Sequence, residues 1–211
     1  MFNKLKKMFK KDDAIIRSNR WIFGTMLFFG LVGLTASFIL ALDELEVIQN
    51  PHAVLSCSIN IVLNCSTVMQ TWQAHVFGFP NMYIGLMAFP VIITVALLGL
   101  SGAKLPKWFY VAANIGYLLE ITFAYWLFFN SLYAIQVLCP YCLLVTLSST
   151  FLFETISRYN VRENTFGFKG LTKKRIQSFY SKGYDKLVLA SWIVVLLLLV
   201  YIKFGKALFA A

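Results

Sequence analysis

Five times along its 211 residues the chain runs, almost without charge, for about the length of a bilayer crossing. The runs cover residues 21–42, 82–103, 108–130, 139–157 and 187–202, with Glu120 inside the third and the fourth fading towards its end. A helix needs ~20 apolar residues to cross ~30 Å of hydrocarbon, so each run predicts a spanning helix. A composition of 59% hydrophobic and 13% charged residues excludes a soluble domain with a polar surface. The expectation is an all-α integral membrane protein: a four-helix transmembrane bundle plus a fifth, C-terminal transmembrane helix, with the termini on opposite sides. The first run exceeds the 7–15 residues typical of a signal-peptide core and no A-x-A-like site precedes Asp43, so it reads as a retained helix.

Basic residues orient these helices. Seven Lys and Arg precede residue 21, Lys104 and Lys107 link the second and third runs, and eight more lie between Arg158 and Lys186. Only Lys203 and Lys206 of the 19 fall on the other side. By the positive-inside rule the crowded side is cytoplasmic, which predicts a multi-pass membrane protein with its N-terminus inside. Four segments follow: a basic N-terminus over 1–20, the bundle over 21–157, a basic cytoplasmic linker without a domain over 158–186, and the fifth helix with the C-terminus over 187–211. Topology and contact with anionic lipid account for the net charge of +10, so a nucleic-acid partner is not expected.

The opposite face holds the loops 43–81 and 131–138, which contain no Lys or Arg. All four cysteines meet there: Cys57 and Cys65 in the long loop, Cys139 and Cys142 where the fourth helix opens. That side is the extracytoplasmic one, where disulfides persist. In Cys139-Pro140-Tyr141-Cys142 the proline suits the first helical position, which makes Cys139 the N-cap. Unsatisfied amides and the helix dipole then favour a reactive thiolate, with Cys142 one turn deeper. A zinc site would use two short-spaced pairs, whereas seven residues separate Cys57 from Cys65, so no metal is expected. Two structural disulfides remain the simpler alternative, although a staple gains little at the start of a helix held by lipid.

Val68, Met69, Trp72, Val76 and Phe79 recur close to one helical face, with Ser66, Thr67, Gln70 and Gln73 opposite. This stripe predicts one short interfacial helix roofing the bundle, with Cys65 at its start.

The two cysteine pairs, Met69-Gln70-Thr71-Trp72-Gln73 between them, and then Phe77-Gly78-Phe79-Pro80-Asn81 and Gly85 carry a resemblance. Over roughly residues 20–157 the chain resembles the vitamin K epoxide reductase family, and within it the bacterial homologues that act as DsbB-like, disulfide-bond-forming membrane oxidases. The resemblance implies a four-helix bundle around a quinone of ubiquinone or menaquinone (vitamin K) type, roofed by the cysteine loop. It implies that Cys57 and Cys65 take electrons from a reduced thioredoxin-fold, DsbA-like protein, Cys57 forming the mixed disulfide. Cys65 then exchanges with Cys139, and Cys142 faces the quinone. Asn81 matches a family asparagine that hydrogen-bonds a quinone carbonyl, and Thr71 a family Ser/Thr position. No thioredoxin-like Cys-x-x-Cys follows Cys142, so the partner is expected to be a separate extracytoplasmic protein. Resting pairs Cys57–Cys65 with Cys139–Cys142, or Cys65–Cys139, both fit such a relay.

Phe77 and Phe79, beside Asn81, are candidates to line the quinone pocket, as is Thr146, one turn below Cys142. Glu120 falls near mid-membrane, where a carboxyl either delivers protons or holds the bundle. Trp21, Trp108, Trp126, Tyr133 and Trp192 read as interface anchors. His52 and His75 have no ligand-like partners. A transporter would show broken helices or several charged residues along a path, and neither is present. Net oxidation of proteins, by a quinone-dependent disulfide oxidoreductase, is favoured over epoxide reduction and over a non-catalytic protein with structural disulfides.

Overall fold

The structure is a computed structural model that describes residues 2–50, 55 and 57–209, with side chains described within 18–205. His52 and the N-terminal lysines therefore lie outside the described side chains. Among the described residues seven α-helices form: α1 (Phe2–Gln49), α2 (Cys65–Met69), α3 (Met82–Leu100), α4 (Lys107–Asn130), α5 (Pro140–Glu163), α6 (Gly170–Ser181) and α7 (Tyr184–Phe209). A 3-10 turn at Trp72–His75 follows α2, and α4 ends in a π-helical turn, Ser131–Ile135. Among the described residues no strand forms, consistent with a chain whose backbone bonds are closed within helices, as hydrocarbon demands.

The chain is an all-α, multi-pass membrane protein. Among the described residues four segments are long and apolar enough to cross a bilayer: Ser18–Gln49, Met82–Leu100, Lys107–Ile135 and Tyr184–Gly205. The remaining expected span, α5, has 24 residues, enough for a crossing by length. Its apolar content is diluted by Thr146, Ser148, Ser149, Thr150, Thr155 and Asn160, all buried. They face neighbouring helices, so they cost little despite their polarity: Ser148 aside, each bonds its own helix or a neighbour. Helix α6 interrupts the expected linker over 158–186, and the amphipathic stretch Gly170–Ser181 is what forms it.

The bundle packs α1 against α3 and α5, and α4 against α5. At one end Ile22, Phe23 and Met26 of α1 meet Phe89, Ile92, Val95 and Ala96 of α3 and Leu152 and Ile156 of α5. Two aromatic rings interlock α1 with α3. A Cβ built at Gly33 would stand 2.3 Å from the Phe89 ring, and one at Gly99 2.3 Å from the Phe23 ring, so each glycine is the notch that admits the other helix. Helix α7 is attached through Trp192, whose Nε1 donates to the Tyr125 hydroxyl (2.8 Å), and through an Arg158–Asp185 ion pair (3.0 Å).

The Phe23–Gly99 contact yields a stability prediction. Gly99→Ala is expected to destabilise the folded protein by about 1–3 kcal/mol through overpacking. Adding Phe23→Leu should recover part of that loss, because the two positions share one contact. Thermal unfolding of the four proteins in one detergent checks both.

Candidate functional site

The site forms at the bundle end remote from the basic linkers, where α1 and α4 finish and α3 and α5 begin. Local backbone chemistry shapes the loop between Cys57 and Cys65. Asn60 Oδ1 accepts the amides of Val62 and Leu63 (2.9 and 2.8 Å), folding residues 60–63 into a tight turn. Asn64 caps α2 by accepting the Thr67 amide (3.0 Å), which starts the helix at Cys65.

The second cysteine segment is then paired to the first. Leu138 N–H donates to the Val62 carbonyl (2.7 Å) and Asn64 N–H donates to the Leu138 carbonyl (3.0 Å), an isolated parallel bridge between Leu63 and Leu138. Residues 64 and 138 immediately precede Cys65 and Cys139, so the pairing sets those two sulfurs 3.4 Å apart. Cys57 and Cys65 are joined as a disulfide, whereas Cys139 and Cys142 are free thiols. All but Cys142 are buried, at 3%, 0% and 2% exposure for Cys57, Cys65 and Cys139.

Cys139 is the N-cap of α5, with Pro140 in the first turn and its Sγ accepting the Cys142 amide (3.2 Å). Placed ahead of the helix, its thiol lies below the ordinary cysteine value. The Cys142 thiol, hydrogen-bonded to it, is the main cause, aided by the amides of Cys142 and Tyr141 and opposed by burial and, when it is ionised, by Asp43. Asp43, buried where the first apolar run stops, also stands with Oδ2 3.5 Å from Cys57 Sγ.

Beneath the sulfurs lies a cavity of about 150 Å³. Cys139, Cys142, Asn81, Thr71 and Thr146, all expected at the site, line it together with Glu120. Asn81 Nδ2 donates to the Gln73 carbonyl (2.7 Å), which fixes the amide orientation, and its buried Oδ1 has no partner among the described residues. Thr146 donates to the Cys142 carbonyl (2.9 Å), so it both lines the cavity and bonds its own helix. Thr71 does likewise with Val68 O (2.7 Å). Glu120 Oε1 accepts from Ser149 of α5 (2.7 Å), tying α4 to α5 at the cavity wall.

Phe77 and Phe79 do not line this cavity, contrary to expectation. Gly78 between them adopts φ +79°, and both rings stand outside, 57% and 38% exposed, with Phe77 resting on Phe123. Phe123 supplies the aromatic wall in their place. The expected single roof helix is also two pieces. Thr71 is extended (φ −86°, ψ 152°), which breaks the stripe and turns the second piece over, so that Gln73 is buried in the site and Trp72 is 66% exposed. In a membrane, apolar residues face outward to lipid, and a stripe assigned by soluble-protein logic inverts. His75 bonds Glu44 of α1 (3.2 Å) and anchors this turn. Among the described residues no three His, Cys, Asp or Glu gather as a metal site.

Asp43, Gln73, Phe123 and Ser149 are site residues that spacing did not reveal. Asp43 left a trace as the first charge after the first apolar run, and Gln73 as the end of the Met69-Gln70-Thr71-Trp72-Gln73 segment, where it read as facing water.

The sequence model of the vitamin K epoxide reductase family matches residues 25–156, more than half of the chain and the segment that builds this site. The chain belongs to that family. No curated protein matches it. Membership makes it a membrane thiol–disulfide oxidoreductase, in a family that uses quinones and works with thioredoxin-like partners.

The cap geometry predicts a titration. With Cys57 and Cys65 held in their disulfide, thiolate absorbance should begin to rise below the ordinary cysteine pKa of ~8.5. Because a lowered pKa means ionisation at lower pH, Cys142→Ala, which removes the largest lowering contribution at Cys139, should move that first midpoint upward.

Proposed function

We propose that this protein oxidises the dithiol of a thioredoxin-fold, DsbA-like partner on the extracytoplasmic side of a bacterial cytoplasmic membrane and delivers two electrons to a membrane quinone. The observation that carries the reading is the 3.4 Å approach of Cys65 to Cys139 beside a cavity lined by Cys142. Thiol–disulfide exchange needs each attacking sulfur in reach of the next, and the Cys65–Cys139 contact spans the separation between the two pairs. The basic residues at the opposite end support the orientation.

In this reading a partner thiolate attacks Cys57 Sγ and breaks the Cys57–Cys65 bond. Cys65, freed as a thiolate, attacks Cys139 of an oxidised Cys139–Cys142 pair and releases Cys142. The partner's second thiolate attacks the partner sulfur of the mixed disulfide, so the partner leaves oxidised and Cys57 is freed as a thiolate. Cys57 then attacks Cys65, restoring the loop disulfide and leaving Cys139 and Cys142 reduced, the state of all four sulfurs in this structure. The N-cap position of Cys139 stabilises it as the sulfur that leaves.

The cavity fits a quinone head group on two counts. Apolar cavities of about 150 Å³ accept a benzene-sized ring. The Asn81 amide, with a second N–H and an unpartnered Oδ1, offers a donor to a quinone carbonyl and an acceptor to a quinol hydroxyl. A quinone bound there supplies the two-electron acceptor. Cys142 and Asn81 would hold and orient it, Thr71 and Thr146 would complete the polar wall, and Phe123 would cover the ring face.

Purified protein mixed with a quinone and a reduced thioredoxin-fold protein tests the reading. Quinone reduction should depend on all four cysteines, and full turnover by Cys142→Ser would overturn the role given to Cys142. Cys57→Ala should block transfer from the partner and trap the Cys65–Cys139 bond, which only Cys57 resolves. Asn81→Ala should lower quinone turnover about 5- to 150-fold, the worth of one buried polar contact of ~1–3 kcal/mol, while exchange between the cysteine pairs survives. Equal loss of exchange would make Asn81 structural.

A further inference from the structure

Resting on that reading, one step of the relay lacks a proton carrier. Cys57 must leave the partner as a thiolate and later become a thiolate again to attack Cys65, since only the thiolate is nucleophilic. An ordinary cysteine, with a pKa near ~8.5, is mostly protonated at neutral pH. At 3% exposure Cys57 has little water to exchange protons with. The group beside it is Asp43, 8% exposed, with Oδ2 3.5 Å from its sulfur. While the disulfide is closed that sulfur carries no proton, so the contact becomes a hydrogen bond only once Cys57 is reduced. The neighbouring acid Glu44 is engaged with His75 instead (3.2 Å). The other ionisable groups that face Asp43 are Glu46, exposed and one turn along α1, and Cys139 of the second pair.

We propose that Asp43 is the proton-transfer residue for Cys57. When the second partner thiolate attacks the partner sulfur of the mixed disulfide, that S–S bond breaks, the partner leaves oxidised and Cys57 leaves as a thiolate. The Asp43 carboxylic acid protonates it and becomes a carboxylate. After Cys65 has bonded to Cys139, the Asp43 carboxylate takes the proton back. Cys57 thiolate then attacks Cys65, the Cys57–Cys65 bond forms and the Cys65–Cys139 bond breaks. The electron pair leaves on Cys139, and Asp43 ends the cycle protonated, as it began.

The test starts from fully reduced wild-type, Asp43→Asn and Asp43→Glu proteins, each mixed with a water-soluble quinone. Samples are quenched with acid, alkylated and mapped for Cys65–Cys139 and Cys57–Cys65 bonds over time and pH. In Asp43→Asn the Cys65–Cys139 bond should accumulate and resolve at least about tenfold more slowly at neutral pH. The difference should close as pH rises past ~8.5, where Cys57 ionises unaided. Asp43→Glu, which keeps a proton carrier, should follow the wild-type pH profile. Resolution in Asp43→Asn at the wild-type rate overturns the proposal, as does slowing by one factor at every pH or an Asp43→Glu protein as slow as Asp43→Asn. A wild-type protein in which quinone forms no disulfide at all would instead overturn the oxidase reading itself.

Discussion

Two backbone hydrogen bonds, from Leu138 to Val62 and from Asn64 to Leu138, hold together segments that are 74 residues apart at their cysteines. Everything at the site depends on this pairing. Membrane helices fix the ends of α4 and α5 to within a few ångströms, but a thiol exchange needs sulfurs in contact, and only a directional bond next to each cysteine sets that distance. The pairing also satisfies backbone groups that a buried loop would otherwise leave without partners. Cys65 and Cys139 then head their helices, α2 and α5, and are aimed at one another from two helix starts.

The sequence made parts of this legible because membrane and cap chemistry are local. Apolar runs revealed the long helices, and Pro140 after Cys139 revealed the cap, since both depend on neighbours within one turn. What stayed hidden was set by packing across the chain. The Asn64–Leu138 pairing has no signature in either segment. Phe77 and Phe79 flank a glycine whose positive φ carries both rings outward, and the cavity wall is closed by Phe123, more than 40 residues on. Gln73 looked solvent-facing because amphipathic reasoning assumes water outside. Around this roof the outside is partly lipid, and the polar side of the second turn points inward to Asn81.

The same inversion explains α5. A helix rich in Ser and Thr seems a poor membrane span until its neighbours are counted. Placed between α1 and α4, its hydroxyls meet Glu120 and Tyr125 rather than lipid, and Asn160 reaches the Tyr110 carbonyl. Buried polar groups satisfied in this way tie specific helices together, whereas apolar contacts alone would tolerate sliding. The cavity sits where this polar seam meets the cysteine loop, so a polar lining is available at one end of an otherwise apolar bundle.

A disulfide relay separates two kinds of traffic. Electrons move along sulfurs in contact, and the 3.4 Å Cys65–Cys139 approach serves them. Protons need oxygen or nitrogen carriers where thiols are buried among Leu40, Val47, Leu55 and Met69. Carboxyls stand at both ends of the sulfur line: Asp43 Oδ2 lies 3.5 Å from Cys57 Sγ, and Glu120, hydrogen-bonded to Ser149, lies in the cavity wall with Cys142. Between them, the polar contacts of Cys65 and Cys139 among the described residues are with sulfur and backbone. This distribution matches the proposed relay, in which protons would be exchanged where the partner and the quinone react and the middle sulfurs would pass bonds as thiolates.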